Sequence, residues 1–189
     1  EPWGYEVKLP SGFWGASNRK DKKSISHWRN QGLTLANGSP LPSTLGSAGL
    51  LLPAGTDGPA FLVGKNFDTF YSYNASENYA LAIAHLSDLI AREDSSKTDF
   101  VTAWPTDDPG ISRQQSKDIQ QALLNAGYDI GEVDGIIGDN TRTAIQQYQS
   151  SHGIFPADGR AGQKFYRAIV GNSAASTSQY GNPYGQPAN

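Results

Sequence analysis

The chain has 189 residues, of which 37% are apolar and 11% aromatic, and it carries a formal net charge of −3 with a pI near 5.5. That length holds one medium domain or two small ones, the lack of a basic stripe argues against a nucleic-acid partner, and no apolar run reaches transmembrane length. Cysteine is absent, which removes disulfides, thiolate nucleophiles and cysteine metal sites while remaining compatible with cytosol or periplasm. Methionine is absent too, and Glu1-Pro2-Trp3 looks like neither a signal nor a transit peptide, so a processed or excised piece is expected.

Residues 1–48 are rich in Gly, Pro, Ser and Trp and predict loops, short strands and one helix near residues 24–31. Lys20, Lys22 and Lys23 form the one basic run and read as a solvated loop. Trp3, Tyr5, Phe13, Trp14 and Trp28 are too many large rings for so little regular structure, and burying them calls for more polypeptide than this region supplies. Residues 49–53 and 59–64 read as two strands of a short hairpin, with Asp57-Gly58 in the turn. Asn66, Phe67, Phe70 and Tyr71 then lead into Tyr73-Asn74-Ala75-Ser76-Glu77-Asn78-Tyr79. From Tyr79 the apolar side chains run almost unbroken to Ala84 and recur at Leu86, Leu89 and Ile90, predicting a helix that ends near Glu93. Ser76 suits its N-cap. A helix apolar on nearly every side belongs inside a sizeable domain.

Residues 95–109 turn polar, with Pro105, Pro109 and the pair Asp107-Asp108, and the domain boundary is placed there. The block after it has its own complete pattern of three helices. The first runs from residue 112 or 114 to 126 with Ile119, Leu123 and Leu124 inward and Gly127 as its stop. The second spans about 140–151, capped by Asn140 or Thr141, with Ala144, Ile145 and Tyr148 inward. The third spans 161–170 with Phe165 and Ile169. Gly135 and Gly138 suit backbone geometries that a side chain would strain, and Asp134 fits a turn acid bonding backbone N–H groups. An EF-hand reading of Asp129, Asp134, Asp139 and Asn140 fails, because Gly131 and Val133 stand where oxygen ligands are needed. No metal or cofactor is implied, and residues 172–189 read as a disordered tail.

In this last block, Ile119-Gln120 with Leu123, Gly127-Tyr128, Asp134-Gly135-Ile136-Ile137-Gly138, Thr141-x-x-Ala144-Ile145-x-x-Tyr148-Gln149 and Asp158-Gly159 resemble the three-helix peptidoglycan-binding domain throughout. That resemblance implies wall binding, with Asp134, Gly135, Asn140 and Thr141 as the residues near the start of the second helix where a peptide stem would bind, since helix N-termini attract carboxylates. Over residues 1–93, Val7-x-Leu9-Pro10-x-Gly12-Phe13, Trp28-x-x-x-Gly32, Gly58-Pro59-Ala60-Phe61-Leu62-Val63 and Tyr73-Asn74-x-Ser76 resemble the C-terminal part of the catalytic domain of B-type lytic murein transglycosylases. Together they imply an α+β fold: the C-terminal part of a lysozyme-like catalytic domain in residues 1–104, a linker at 105–111, and a peptidoglycan-binding domain in 112–171.

Members of that family cleave the MurNAc–GlcNAc bond without adding water and leave a 1,6-anhydro sugar. One glutamate acts as acid and then base, and the substrate acetamido group replaces the usual second carboxylate. By resemblance that glutamate lies in a Glu-Ser motif upstream, and this chain has no Glu-Ser pair; Glu77 is the nearest candidate, although a carboxylate in a first helical turn is explained by the helix dipole alone. The resemblance gives substrate-binding roles to Asn74, which would bond the acetamido group or orient the C6 hydroxyl, and to Tyr73 and Tyr79, which would offer hydroxyls or stacking faces. Asn74 also fits a turn, Ser76 a plain cap, and Tyr79 the core. The expected partners are glycan strands and peptide stems, and a separate N-terminal fragment of the same enzyme carrying the glutamate. The expected setting is the Gram-negative periplasm, with possible outer-membrane attachment through an absent anchor. Residues 1–104 in isolation are expected to be largely unfolded. A non-catalytic wall-targeting module is the alternative. Zinc amidases, zinc carboxypeptidases and cysteine transpeptidases lack support, because there is no cysteine and His27, His85 and His152 show no ligand spacing, His85 reading as core and the other two as surface.

Overall fold

The structure is a computed structural model that describes residues 1–91 and 99–177, with side chains as far as residue 171. Its elements are β1 (Gly4–Lys8), β2 (Asn18–Ser24), α1 (Ile25–Asn30), β3 (Thr34–Leu35), β4 (Ser47–Leu51), β5 (Ala60–Val63), α2 (Lys65–Asn74), α3 (Glu77–Ala91), α4 (Arg113–Asn125), α5 (Asp139–Ser151) and α6 (Gln163–Thr177). Ala60, Phe61, Leu62 and Val63 have no polar face to give to water, so as a strand they need cover on both sides. They have it, because β5 is the middle strand of an antiparallel sheet ordered β2-β4-β5-β1-β3. The expected hairpin is β4–β5, with Leu51 opposite Phe61 and Gly49 opposite Val63.

Strand alternation sorts these side chains into two cores. Leu50 and Leu62 join Val7, Trp28, Leu33 and Leu45 beneath α1 and its loops. Leu51, Phe61 and Val63 join Trp3, Phe67, Ala80 and Ala84 beneath α2 and α3. Each fully buried ring or aliphatic chain contributes about 1.5–3 kcal/mol. The large rings therefore find cover within the chain: Trp3 and Trp28 are buried, and Trp28 Nε1 donates to Ala48 O at 2.8 Å. Only Trp14 of that set stands out, 71% exposed.

The basic run is strand β2, not a loop. It lies at a sheet edge, where lysines discourage pairing with another chain, and its inward residue Arg19 is 7% exposed because carboxylates meet it from below. Residues 65–74 form a helix of their own, α2, and not only a lead-in to α3. Helix α3 is one-sided in this chain: Ala80, Leu81 and Ala84 are buried, while Leu86 is 49% and Ile90 77% exposed. The expected all-round burial is therefore not met by the described residues. His85 is half-buried with its ring 4.2 Å from that of Phe100, and His27 and His152 are exposed.

Three helices close a third core around Ile119, Leu123, Ile145, Phe165 and Ile169. Ser112 caps α4 in a full capping box with Gln115, and Leu124 points outward instead of inward. Helix α5 starts one residue earlier than expected and is capped by Gly138, whose side-chain-free cap replaces the expected Asn140 or Thr141. Gly138 has ordinary extended geometry (φ −88°), so only Gly135, at φ +80°, meets the expected need for glycine. Helix α6 runs on to Thr177, past its expected end at 170 and into the expected tail; the rest of that tail, 178–189, lies outside the described residues, as does Glu93.

Candidate active site

The bend between α2 and α3 is made by one residue. Ala75 takes a left-handed conformation (φ 46°) and its N–H donates to Tyr71 O at 2.7 Å, a geometry that costs a non-glycine residue about 1–2 kcal/mol. Ser76 then accepts from Tyr79 N–H at 3.3 Å and starts α3, as its capping role predicts. The bend carries Tyr73 and Asn74 on the last turn of α2 and Tyr79 on the first turn of α3. All three are exposed, Tyr73 to 89% and Tyr79 to 41%.

Beside this corner is a cleft of about 470 Å³ that runs from the first region to the helical one. Its walls hold Tyr71, Ser76, Glu77 and Asn78 on one side and Asp139, Arg142 and Arg160 on the other, while Tyr73, Asn74 and Tyr79 stand outside its lining. A chain of charges crosses it. Asp68 meets Arg19 at 2.9 Å, Arg19 meets Glu77 at 3.4 Å, Glu77 meets Arg142 at 2.9 Å, and Arg142 meets Asp139 at 3.5 Å. The Arg19 guanidinium also lies 3.5 Å over the Tyr71 ring, a cation–π contact. A second link joins hydrogen bonds to an ion pair: Asp158 accepts from Thr56 N–H at 2.9 Å, and Arg160 donates to Pro53 O at 3.0 Å and pairs with Asp108 Oδ2 at 2.9 Å. Asp107-Asp108, expected in a linker, is thereby tied to the helical region.

These contacts decide what the glutamates can do. Glu77 is held between two guanidinium groups, which makes it an ion-pair partner. Both oxygens of Glu6 accept backbone N–H groups, from Val101 at 2.8 Å and Thr102 at 2.7 Å. Along the open side of α3, Leu81, Ala82, Leu86, Leu89, Phe100 and Trp104 line an apolar hollow of about 460 Å³. Among the described residues, no group of three His, Cys, Asp or Glu side chains could hold a metal ion.

In the helical region, Asp134, Asn140 and Thr141 line a smaller cavity of about 280 Å³ at the start of α5, shared with Glu132 and Asp139; Gly135 lies behind it. Thr141 is 2% exposed and Asn140 is exposed. Asp134 Oδ1 accepts from Ile136 N–H at 2.7 Å and Gln120 Nε2 at 3.1 Å, the turn-acid geometry expected of it. Those bonds, Ile136 first, hold its carboxyl below the usual carboxylate range. Arg19, Arg142 and Arg160 are not evident from sequence, because each acts on a partner distant in the chain, 65 residues away for Arg142 and Glu77.

Comparison with known proteins adds to this geometry. Residues 1–88 match the family model of the transglycosylase SLT domain, and residues 112–169 match that of the peptidoglycan binding domain. No curated protein matches the chain. Among solved structures, SltB3 from Pseudomonas aeruginosa in complex with NAG-anhNAM-pentapeptide is 42% identical with a TM-score of 0.80 over 89% of this chain and 44% of that one. Its complex with NAG-NAM-pentapeptide gives 43% identity and a TM-score of 0.81 over 89% and 45%. The chain thus spans less than half the length of SltB3. The chain's sheet region is similar to a lysozyme-like transglycosylase SLT domain and its helical region to a peptidoglycan binding domain, in the fold shared with SltB3.

Proposed function

We propose that the chain is the C-terminal part of a peptidoglycan lytic transglycosylase, which breaks the MurNAc–GlcNAc bond and leaves a 1,6-anhydroMurNAc end. In this reading residues 1–104 supply the substrate-positioning wall, residues 105–111 join it to residues 112–171, and the latter hold the enzyme on the cell wall. The single observation that carries it is the likeness to SltB3, whose structures hold NAG-anhNAM-pentapeptide and NAG-NAM-pentapeptide, over 89% of this chain.

The general acid and base then comes from polypeptide that precedes residue 1 in the intact enzyme or is a separate chain beside it. Two features support this. Glu77 and Glu6 are already engaged by cations and backbone N–H groups, and the apolar hollow along α3 has the character of a surface made to be covered. Tyr73, Asn74 and Tyr79 project from the bend, whose neighbour Asn78 lines that hollow. There Asn74 would present a carboxamide, donor and acceptor without charge, to the sugar acetamido group or the C6 hydroxyl. The tyrosines would offer stacking faces and hydroxyls to the glycan. The site of action would be the periplasm of a Gram-negative cell.

The test is Asn74→Ala in the intact enzyme. Turnover on peptidoglycan should fall at least about tenfold, the scale of one lost transition-state hydrogen bond, while retention on sacculi is unchanged. Unchanged turnover removes Asn74 from the site.

The alternative of a non-catalytic wall-binding module gains from the same engaged glutamates, and the two readings part on the isolated chain. Both predict that it binds sacculi and releases nothing, but only the enzyme reading predicts turnover once the upstream polypeptide is supplied.

A further inference from the structure

The turn that carries Asp134 occurs twice. Asp134-Gly135-Ile136-Ile137-Gly138 precedes α5, and Asp158-Gly159-Arg160-Ala161-Gly162 precedes α6. The geometry repeats with the spacing. In each copy the aspartate Oδ1 accepts from the N–H two residues on, that of Ile136 at 2.7 Å and that of Arg160 at 3.0 Å. In each, the glycine is left-handed (φ +80° and +75°) and donates its N–H to a buried glutamine on the preceding helix, Gln120 at 2.7 Å and Gln149 at 2.9 Å. A side chain at either glycine would also collide with backbone, Arg113 O at 3.0 Å and Arg142 O at 2.6 Å.

The copies differ at the other carboxylate oxygen. Asp158 Oδ2 accepts from the main-chain N–H of Thr56 at 2.9 Å and from its hydroxyl at 3.4 Å, and Asp158 is 5% exposed beneath that segment. Asp134 is exposed and lines the cavity of about 280 Å³. Its Oδ2 receives no hydrogen bond from the described residues. One copy of the turn is thus engaged by a main-chain amide from another part of the molecule, and its twin faces an open cavity with the same acceptor.

We propose that Asp134 Oδ2 accepts a main-chain amide N–H of a peptidoglycan peptide stem seated at the start of α5, as Asp158 accepts that of Thr56. This deepens the wall-binding reading and rests on it. The cavity's charge sets what part of a stem fits. Glu132 and Asp139 flank Asp134, and the lining has no basic side chain; from outside it Arg142 at 3.5 Å and Lys20 at 3.6 Å balance Asp139, and the Arg113 guanidinium, bonded to Asp134 O at 3.1 Å, faces Asp134. With carboxylates as the only charged groups in the lining, a donor-bearing stretch, amide or amine, is favoured there.

The experiment measures retention of the full chain on purified sacculi and on sacculi stripped of their stems by an amidase. Asp134→Asn keeps an Oδ1 acceptor for Ile136 and sets an amino group where Oδ2 was, so the turn survives and an incoming donor is turned away. Affinity for intact sacculi should fall about tenfold, and stripped sacculi should bind the unaltered chain no better than the variant. A second arm needs no variant: a synthetic stem peptide should compete with sacculi for the chain, and its fully N-methylated form should compete about tenfold less well. Equal retention of the variant, equal competition by the two peptides, or undiminished binding to stripped sacculi overturns the assignment of Asp134 while leaving wall binding in place. If the unaltered chain is not retained on intact sacculi, wall binding and this inference fall together.

Discussion

The two regions of the molecule solve the same burial problem with different completeness. The helical region encloses Ile119, Leu123, Ile145, Phe165 and Ile169 between three helices. The sheet region buries Phe61, Val63 and Phe67 just as fully but leaves one face of α3 open, with Leu86 49% and Ile90 77% exposed and Trp104 45% exposed beside them. A closed core marks a self-contained binding domain, and an open apolar face marks a part shaped to receive something else. On the proposed reading, this contrast marks where the catalytic polypeptide docks. The region with the α2–α3 corner is the one with the open face, and within it Glu6 is engaged by backbone N–H groups and Glu77 by guanidinium groups.

The strongest way to break the comparison is to remove a central side chain from each core. Phe61→Ala, at 0% exposure mid-sheet, should cost about 3–5 kcal/mol, and Ile145→Ala in the helical core about 2–5 kcal/mol, read from denaturant unfolding. If the regions are as distinct as their cores suggest, each substitution should shift its own transition more than the other's. The next test sharpens the claim about the open face. Leu86→Ala should change the stability of this chain by less than about 0.5 kcal/mol, as at exposed sites, but that of the intact enzyme by about 2–4 kcal/mol if the face is covered there. Equal small effects would mean that the face is solvent-exposed in both.

Smaller still is the loss expected from Gln120→Ala. Gln120 is 1% exposed and serves Gly135 N–H, Asp134 Oδ1 and Ile136 O, so its removal should cost about 1–3 kcal/mol and loosen the loop before α5. The least effect concerns acid. The N–H of Ile136 and the amide of Gln120 depress the Asp134 carboxyl below its ordinary value of 3.8 in the folded state. Its contribution to stability is therefore complete above that ordinary value and is lost as pH falls through the depressed one. Asp134→Asn should flatten the acid limb of the unfolding curve in that window and leave it unchanged near neutrality.

Much of the architecture was legible in the sequence where local pattern and burial agree. Ala60 to Val63 read as a strand because four apolar residues in a row need two covered faces, and α4 and α5 read as helices because Ile119, Leu123, Ala144, Ile145 and Tyr148 recur at helical spacing. Strand β2 was hidden, since Asn18-Arg19-Lys20-Asp21-Lys22-Lys23-Ser24 has no apolar alternation and is held by ladder bonds and by Arg19, whose partners Asp68 and Glu77 lie far along the chain. Helix α2 was hidden too, with only Phe67 fully buried and no side-chain cap at Gly64. The start of α5 was misplaced by one residue because a glycine cap leaves no polar side chain to announce it. As for the site, Tyr73, Asn74 and Tyr79 were found through family motifs, whereas the charged cleft between the regions depends on pairings that no local pattern encodes.

The central claim is that this chain forms one wall of a glycan-cleaving site whose proton donor lies on polypeptide outside it. Mass analysis of the fragments released from purified peptidoglycan tests it most directly, with this chain alone and with the intact enzyme. The account predicts no release by the chain alone and, from the intact enzyme, fragments ending in 1,6-anhydro sugars, each one water lighter than a hydrolysis product. Release by the chain alone, or reducing-end products from the intact enzyme, would contradict it.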